Sequence, residues 1–370
     1  MIKIFLQFSL IISGSFAFAQ APTNYYDTAT GTGFDLKTQL RNIIYTHTDL
    51  TYGGLWTLYN TDDPKNGFLD KYDEKDNTIY DIYSEIAHSI DPYNFTKQVK
   101  QCSGTLNYSK ESDCYNREHL IPQSVFSEAK PMVSDAFHIW PTDGYVNNKR
   151  GNYPFGVVNS ATYTSKNGSK LGNNLNSGYS AGFSGTVFEP VDEFKGDIAR
   201  AYFYFVTAYQ ESGIQNWSYA MFNGTKDKVF ADTFLKILMT WHVNDPVSDR
   251  EKDINTHIYN NQGNRNPFID NPEYAQKIWG YNLSTNDFEY QKRDDVKVYN
   301  KTSRTVIVKL DNAKKSISKV AVYNLNGQLI NEIQNKSNQQ NIEVNFKTPG
   351  VYVIKIYGKG MEINKRVVIK

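Results

Sequence analysis

The sequence predicts an α+β protein: a helix-rich body with a few short strands, followed by a small all-β sandwich. Three observations carry that expectation. Apolar residues recur with helical period in segments spread from Phe34 to Trp279. Apolar and polar residues alternate in short runs between residues 304 and 357. The chain has 370 residues, enough for two domains.

Each element has a local reason. Phe34 to Thr46 carries Phe34, Leu36, Leu40, Ile43 and Ile44 at helical spacing. The run IARAYFYFVTAY, within 192–209, is apolar on most faces and is expected to be buried. Residues 231–241, ADTFLKILMTW, read as another helix. Asp245-Pro246 is expected to open a helix that ends near Asn261, before Gly263, because proline suits the first helical position. Asn271-Pro272 opens a last one, through Trp279. Ser, Asn and Gly crowd residues 159–185, which are expected to form an extended surface loop. Strands are expected at 304–310, 318–323, 339–346 and 350–357, with turns at Asn326-Gly327 and Pro349-Gly350.

Composition excludes several classes. Hydrophobic residues make up 39% and the formal net charge is only +1, which excludes charge-driven disorder and a multi-pass membrane protein. Two cysteines exclude a disulfide-dense scaffold and a four-cysteine zinc module. The balanced charge hides an asymmetry. Residues 296–370 carry 14 Lys/Arg against 4 Asp/Glu, which leaves residues 4–295 at net −10. The body therefore does not hold an anionic ligand by bulk positive charge.

Residues 1–20, MIKIFLQFSLIISGSFAFAQ, read as a signal peptide: Lys3, a short apolar run, then small residues ending in Ala17-Phe18-Ala19. Export permits disulfides. Cys102 and Cys114 stand 12 apart in a turn-rich stretch and are expected to pair as a structural bridge. Closing so short a loop stabilises by roughly 3 kcal/mol on the loop-entropy account.

The chemistry concentrates between Cys114 and Gly156. This window holds Glu118-His119, Asp135, His138, and the polar cluster Asn147, Asn148, Arg150 and Asn152. Thr142 is the expected N-cap of a two-turn helix over Asp143 to Arg150, stopped by Gly151. Tyr115 to Ile121 is the expected strand. Adjacent side chains of a strand point oppositely, so Glu118 and His119 reach one ligand only if the strand ends or bulges there. Imidazole has the pKa for a general base near neutral pH. Glutamate plus asparagine offers hard oxygen ligands that suit Mg²⁺, with Mn²⁺ or Ca²⁺ as alternatives. Those are the parts that phosphodiester hydrolysis requires.

The strings NREH, PMVSD and HIWPTDGYVNNKRGNYPFG resemble the bacterial endonuclease I family of secreted nucleases. Residues 262–279, QGNRNPFIDNPEYAQKIW, resemble its C-terminal part, so the resemblance spans most of 35–280. It implies a ββα-metal core and a metal-dependent, largely sequence-nonspecific endonuclease that cleaves DNA, with RNA as a further substrate, and leaves 5′-phosphate ends. Carried onto this chain, His119 would be the general base, Glu118 and Asn147 the metal ligands, and Arg150 a catalytic phosphate contact. Some members of that family have an arginine between the base and the helix. This chain has none between Glu118 and Arg150, so Arg117, Lys130 or Arg150 is expected to substitute. Asn148, Asn152 and Arg265 complete the expected substrate-binding set. Asp135 and His138 are expected to serve as core or ligand-orienting groups.

At the other end, AVYNLNGQLI, TPGVYVIKI and KRVVIK resemble the C-terminal type IX secretion sorting domain of Bacteroidetes proteins. The expected organisation is a signal peptide over 1–20, a nuclease domain over 21–285, a linker over 286–296 and a sorting domain over 297–370. The expected partners are nucleic acid and the type IX machinery, with no stable protein partner. The alternative is a secreted polysaccharide-binding or adhesive surface protein. The Glu-His pair and the helix asparagine stand against it.

Overall fold

Leu36, Leu40 and Ile44 recur every four residues and form the buried face of helix α1 (Gly33–Ile44). This computed structural model describes residues 21–280, apart from 88 and 104–106, and residues 296–369, apart from 303, 311–315, 325–327, 336–338 and 359–360. The expected signal peptide, the linker up to residue 295 and the Asn326-Gly327 turn lie outside the described residues. The chain divides into two compact units, Met1–Leu283 and Ser284–Lys370.

In the first unit a short helix, α2 (Leu55–Asn60), follows α1. Strands β1 (Tyr115–His119) and β2 (Ile139–Asp143) then form an antiparallel hairpin that runs straight into helix α3 (Gly144–Arg150). Residues 158–189 correct an expectation. The segment read as a surface loop contains β3 (Val158–Thr164) and β4 (Lys170–Asn174), which pair with β5 (Thr186–Glu189) in a three-stranded sheet. Small polar residues mask the strand pattern there, because most of β3 is solvent-exposed and needs no apolar alternation.

Helix α4 (Lys195–Ala208) is buried along its whole length, as its apolar sequence requires. Its buried Arg200 is neutralised by Glu251, at 2.8 Å from Nη2, and by Asp197. Helices α5 (Asp232–Asn244), α6 (Asp249–Gln262), α7 (Pro267–Asp270) and α8 (Glu273–Trp279) complete the unit. Helix α6 starts later than Pro246 because Ser248 and Glu251 form a capping box: Glu251 N donates to Ser248 Oγ at 3.1 Å, and Ser248 N donates to Glu251 Oε2 at 2.9 Å.

The second unit is all β. Strands β6 (Val296–Thr302), β7 (Thr305–Leu310) and β10 (Asn341–Asn345) form one antiparallel sheet in the order β10-β7-β6. Strands β8 (Ile317–Asn324), β9 (Leu329–Gln334), β11 (Gly350–Gly358) and β12 (Met361–Ile369) form the other, in the order β12-β11-β8-β9. Val306 and Val308 from the first sheet share one core with Val320, Val322, Ile354 and Ile356 from the second.

Candidate active site

The β1–β2 register places Glu118 opposite Trp140 and His119 opposite Ile139. His119 is the last residue of β1. Because the strand stops there, two sequence neighbours line one cleft instead of opposite faces of a sheet. The cleft is open, holds about 280 Å³, and is lined by Tyr52, Asn116, Arg117, Glu118, His119 and Asn147, with Asn148, Arg150 and Asn152 beside them.

Helix α3 delivers Asn147. Its cap is Asp143, not Thr142 as expected: Asp143 Oδ1 accepts from Tyr145 N at 2.8 Å and Val146 N at 2.9 Å. Thr142 instead belongs to β2, where it pairs with Asn116. Asp143 N in turn donates to Asp81 Oδ2 at 2.9 Å. The helix ends at Gly151, whose φ of +52° favours glycine. The Cys102–Cys114 disulfide is present, with an S–S distance of 2.06 Å. It sits at the entrance to β1, where Cys102 N donates to Tyr115 O at 2.8 Å.

Glu118 is 2% exposed. Its Oε1 accepts from Tyr83 Oη at 2.8 Å and from Arg150 Nη1 at 3.2 Å. Burial pushes its carboxyl up to about 7, against the pull of Arg150 and Tyr83. Both hydrogen bonds go to Oε1 and neither to Oε2. Asn147 Nδ2 donates to Asn116 Oδ1 at 2.8 Å, which orients the carboxamide; among the described residues its own oxygen has no donor. A carboxylate oxygen and a carboxamide oxygen, both on one open cleft, fit a hard divalent cation that keeps most of its waters.

His119 Nε2 faces the Val133 carbonyl at 3.4 Å. A carbonyl only accepts, so the proton of the neutral ring sits on Nε2 and Nδ1 carries the lone pair. Burial, then the neighbouring His138 ring, holds His119 down to about 3, so the imidazole is neutral at physiological pH. The Tyr52 ring stacks on it, with centroids 5.6 Å apart.

The remaining expected residues separate into two groups. Arg117 reaches the cleft: its guanidinium lies over Tyr52 at 3.5 Å and Trp56 at 4.5 Å. Asn148 and Asn152 are exposed on the same rim. Arg150 corrects the expectation of a free phosphate contact. It is 1% exposed, and besides Glu118 it donates to the carbonyls of His119 at 2.9 Å and Leu120 at 2.6 Å. Lys130 is outside the cleft lining and pairs with Asp49 at 2.9 Å. Arg265 is also outside it: Nε and Nη2 each meet Asp270 at 2.7 Å, inside the protein. Asp135 is a buried hub that accepts from Tyr204 at 2.8 Å, Tyr209 at 2.6 Å and Gln262 at 2.8 Å. His138 is buried beside it, with Nε2 2.7 Å from Met132 O. Sequence reasoning missed Tyr52, Tyr83, Asn116 and Asp81; only Asn116, inside NREH, carried a local signal.

The sequence profile described as Endonuclease I matches residues 32–273. The chain belongs to the Endonuclease I family. An extracellular ribonuclease of Bacillus subtilis (strain 168) is 34% identical over 263 residues, covering 69% of this chain and 78% of the relative. An extracellular ribonuclease of Bacillus amyloliquefaciens is 32% identical over 262 residues, with the same coverage of 69% and 78%. A second profile, the secretion system C-terminal sorting domain, matches residues 289–370. This Endonuclease I protein is therefore a secreted hydrolase that acts on nucleic acid. The polysaccharide-binding alternative falls away.

Proposed function

We propose that this Endonuclease I protein is a metal-dependent endonuclease of low sequence preference. It would hydrolyse phosphodiester bonds in RNA and DNA and leave 5′-phosphate and 3′-hydroxyl ends. One observation carries the reading: Glu118, His119 and Asn147, up to 29 positions apart in sequence, line one open cleft. The relatives' description as extracellular ribonucleases supports RNA as a substrate.

In this reading His119 Nδ1 takes a proton from the attacking water. The water oxygen bonds to phosphorus as the bond to the 3′ oxygen breaks. The Val133 contact keeps the ring in the tautomer with Nδ1 free, and Tyr52 holds its plane. Glu118 and Asn147 would hold a divalent cation, which supplies charge neutralisation at the phosphate and the leaving oxygen. Arg117 faces the strand from the rim, and Asn148 and Asn152 bind its backbone. Arg150 acts as a positioning residue, because it ties the carboxylate of Glu118 to the backbone of the residues that follow. The 1–20 segment would be removed as a signal peptide, and the C-terminal unit would be read by type IX machinery.

The test is cleavage of a supercoiled plasmid and a structured RNA by the mature protein, with EDTA and with Mg²⁺ restored. Cleavage of both substrates should stop in EDTA and return with the metal, and a kinase should label the products only after phosphatase treatment. Undiminished cleavage in EDTA would overturn the proposal.

A further inference from the structure

The segment 70–91 brings acidic side chains together away from the active site. Asp70, Glu74 and Glu85 each offer a carboxylate oxygen, and these oxygens lie within 4.8 Å of one another. Like charges at that spacing repel unless a cation or a shared proton separates them. Two further observations point to a ligand. Glu85 is 1% exposed; its carboxyl is hydrogen-bonded to that of Asp91, and its Oε1 is buried without a hydrogen-bond partner among the described residues. Glu74 Oε2 is likewise buried and has no hydrogen-bond partner among the described residues. Buried polar atoms are rarely left unsatisfied without a reason.

The rest of the cluster is held as if to present those oxygens. Asp70 Oδ1 accepts from the backbone of Tyr72 and Asp73, both at 3.0 Å, and Oδ2 accepts from Lys75 N at 2.7 Å. Glu74 Oε1 accepts from Asp91 N at 2.8 Å, and Asp91 Oδ1 accepts from Ile86 N at 2.7 Å. Lys71, next to Asp70, turns its ammonium to the Asp63 carbonyl. Burial, then the carboxylates of Asp91, Asp70, Glu74 and Asp73, push the Glu85 carboxyl well up from the usual carboxylate range.

We propose that Asp70, Glu74 and Glu85 form a structural Ca²⁺ site, separate from the catalytic cleft. Ca²⁺ takes six to eight oxygens at roughly 2.3–2.6 Å in flexible geometry, so two ligands across one ion stand up to about 5 Å apart. Mg²⁺ is a poorer fit, because it is usually held by one or two carboxylates and keeps its waters. A secreted protein also meets Ca²⁺ at concentrations that a loop site of this kind can use. The site has a consequence for the enzyme. The same segment carries Asp81, which anchors Asp143 N at the start of α3, and Tyr83, which bonds Glu118. The ion would clamp the segment that holds both.

The full-length mature protein, stripped with EGTA, is titrated with CaCl₂ by calorimetry and melted with and without the ion. At about 100 times the dissociation constant, Ca²⁺ should raise the melting temperature by about 5–10 °C. Glu85→Gln and Glu74→Gln keep side-chain shape and remove a charge, so they should fold and lose that rise. Glu118→Gln, altered in the catalytic cleft, should keep it. No Ca²⁺-dependent rise in the unsubstituted protein means the carboxyls share protons instead, and overturns the proposal. A full rise in both Glu74→Gln and Glu85→Gln, or its loss in Glu118→Gln, overturns it as well.

Discussion

Tyr83 Oη lies 2.8 Å from Glu118 Oε1, the same oxygen that faces Arg150. The phenol and the guanidinium together hold Oε1, so Oε2 is the oxygen that the proposed metal would take. Removing a group that orients a ligand typically costs 10–100-fold in metal affinity or activity. Tyr83→Phe should lower Mg²⁺ affinity by about that range, with a smaller loss of stability of about 1–3 kcal/mol. Cleavage rates measured across a metal titration read the first quantity. An unchanged half-saturating metal concentration would remove Tyr83 from the site.

His119→Ala tests the proposed base. A positioned general base contributes about 10²–10⁴-fold, so the cleavage rate should fall by that factor. Among the described residues the His119 ring makes one long hydrogen bond, so the variant should keep its circular dichroism spectrum and its metal stoichiometry. Full activity in the folded variant would disprove the assignment.

The local part of this site was legible. NREH, the strand end and the two-turn helix lie within one window, and sequence spacing constrains them directly. What could not be read came from distance in the chain. Tyr52 and Tyr83 stand 67 and 35 residues before the groups they touch, and no periodicity reports such contacts. Arg150 reads as a phosphate contact because the resemblance places it one turn on from Asn147. Its partners, the carbonyls of His119 and Leu120, are available only because β1 ends where it does. Arg265 is different. Its partner Asp270 is five residues away, a local pairing that the sequence displayed and the loop composition obscured.

Buried histidines set an acid limit on stability. Burial lowers His138 and His242 to about 4 each from 6.5, against the pull of Asp135 on the first and with the help of Arg200 on the second. A depressed folded pKa contributes stability that is fully present above pH 6.5 and is lost as pH falls toward 4. Each group can contribute up to about 3 kcal/mol. Chemical denaturation should therefore show stability falling between pH 6.5 and 4, and His242→Gln should flatten that fall. An identical slope in the variant would mean that His242 is not buried in its neutral form.

Gly144 couples the disulfide to helix α3. A Cβ there would meet Cys102 Sγ at 2.7 Å and Tyr108 Cδ1 at 2.8 Å, while Gly144 N donates to Cys114 O at 2.9 Å. The glycine is required by this close approach, since α3 starts one residue after Asp143 and cannot swing away from the bridge. Gly144→Ala must therefore shift either the disulfide or the helix that carries Asn147 and Arg150. Overpacking of this kind costs about 1–3 kcal/mol. Stability and cleavage should fall together. In a Cys102→Ser, Cys114→Ser background the obstruction is no longer cross-linked, so the alanine penalty should shrink by about 1 kcal/mol in a double-mutant cycle. Strict additivity would place the obstruction elsewhere and leave α3 positioned by its Asp143 cap alone.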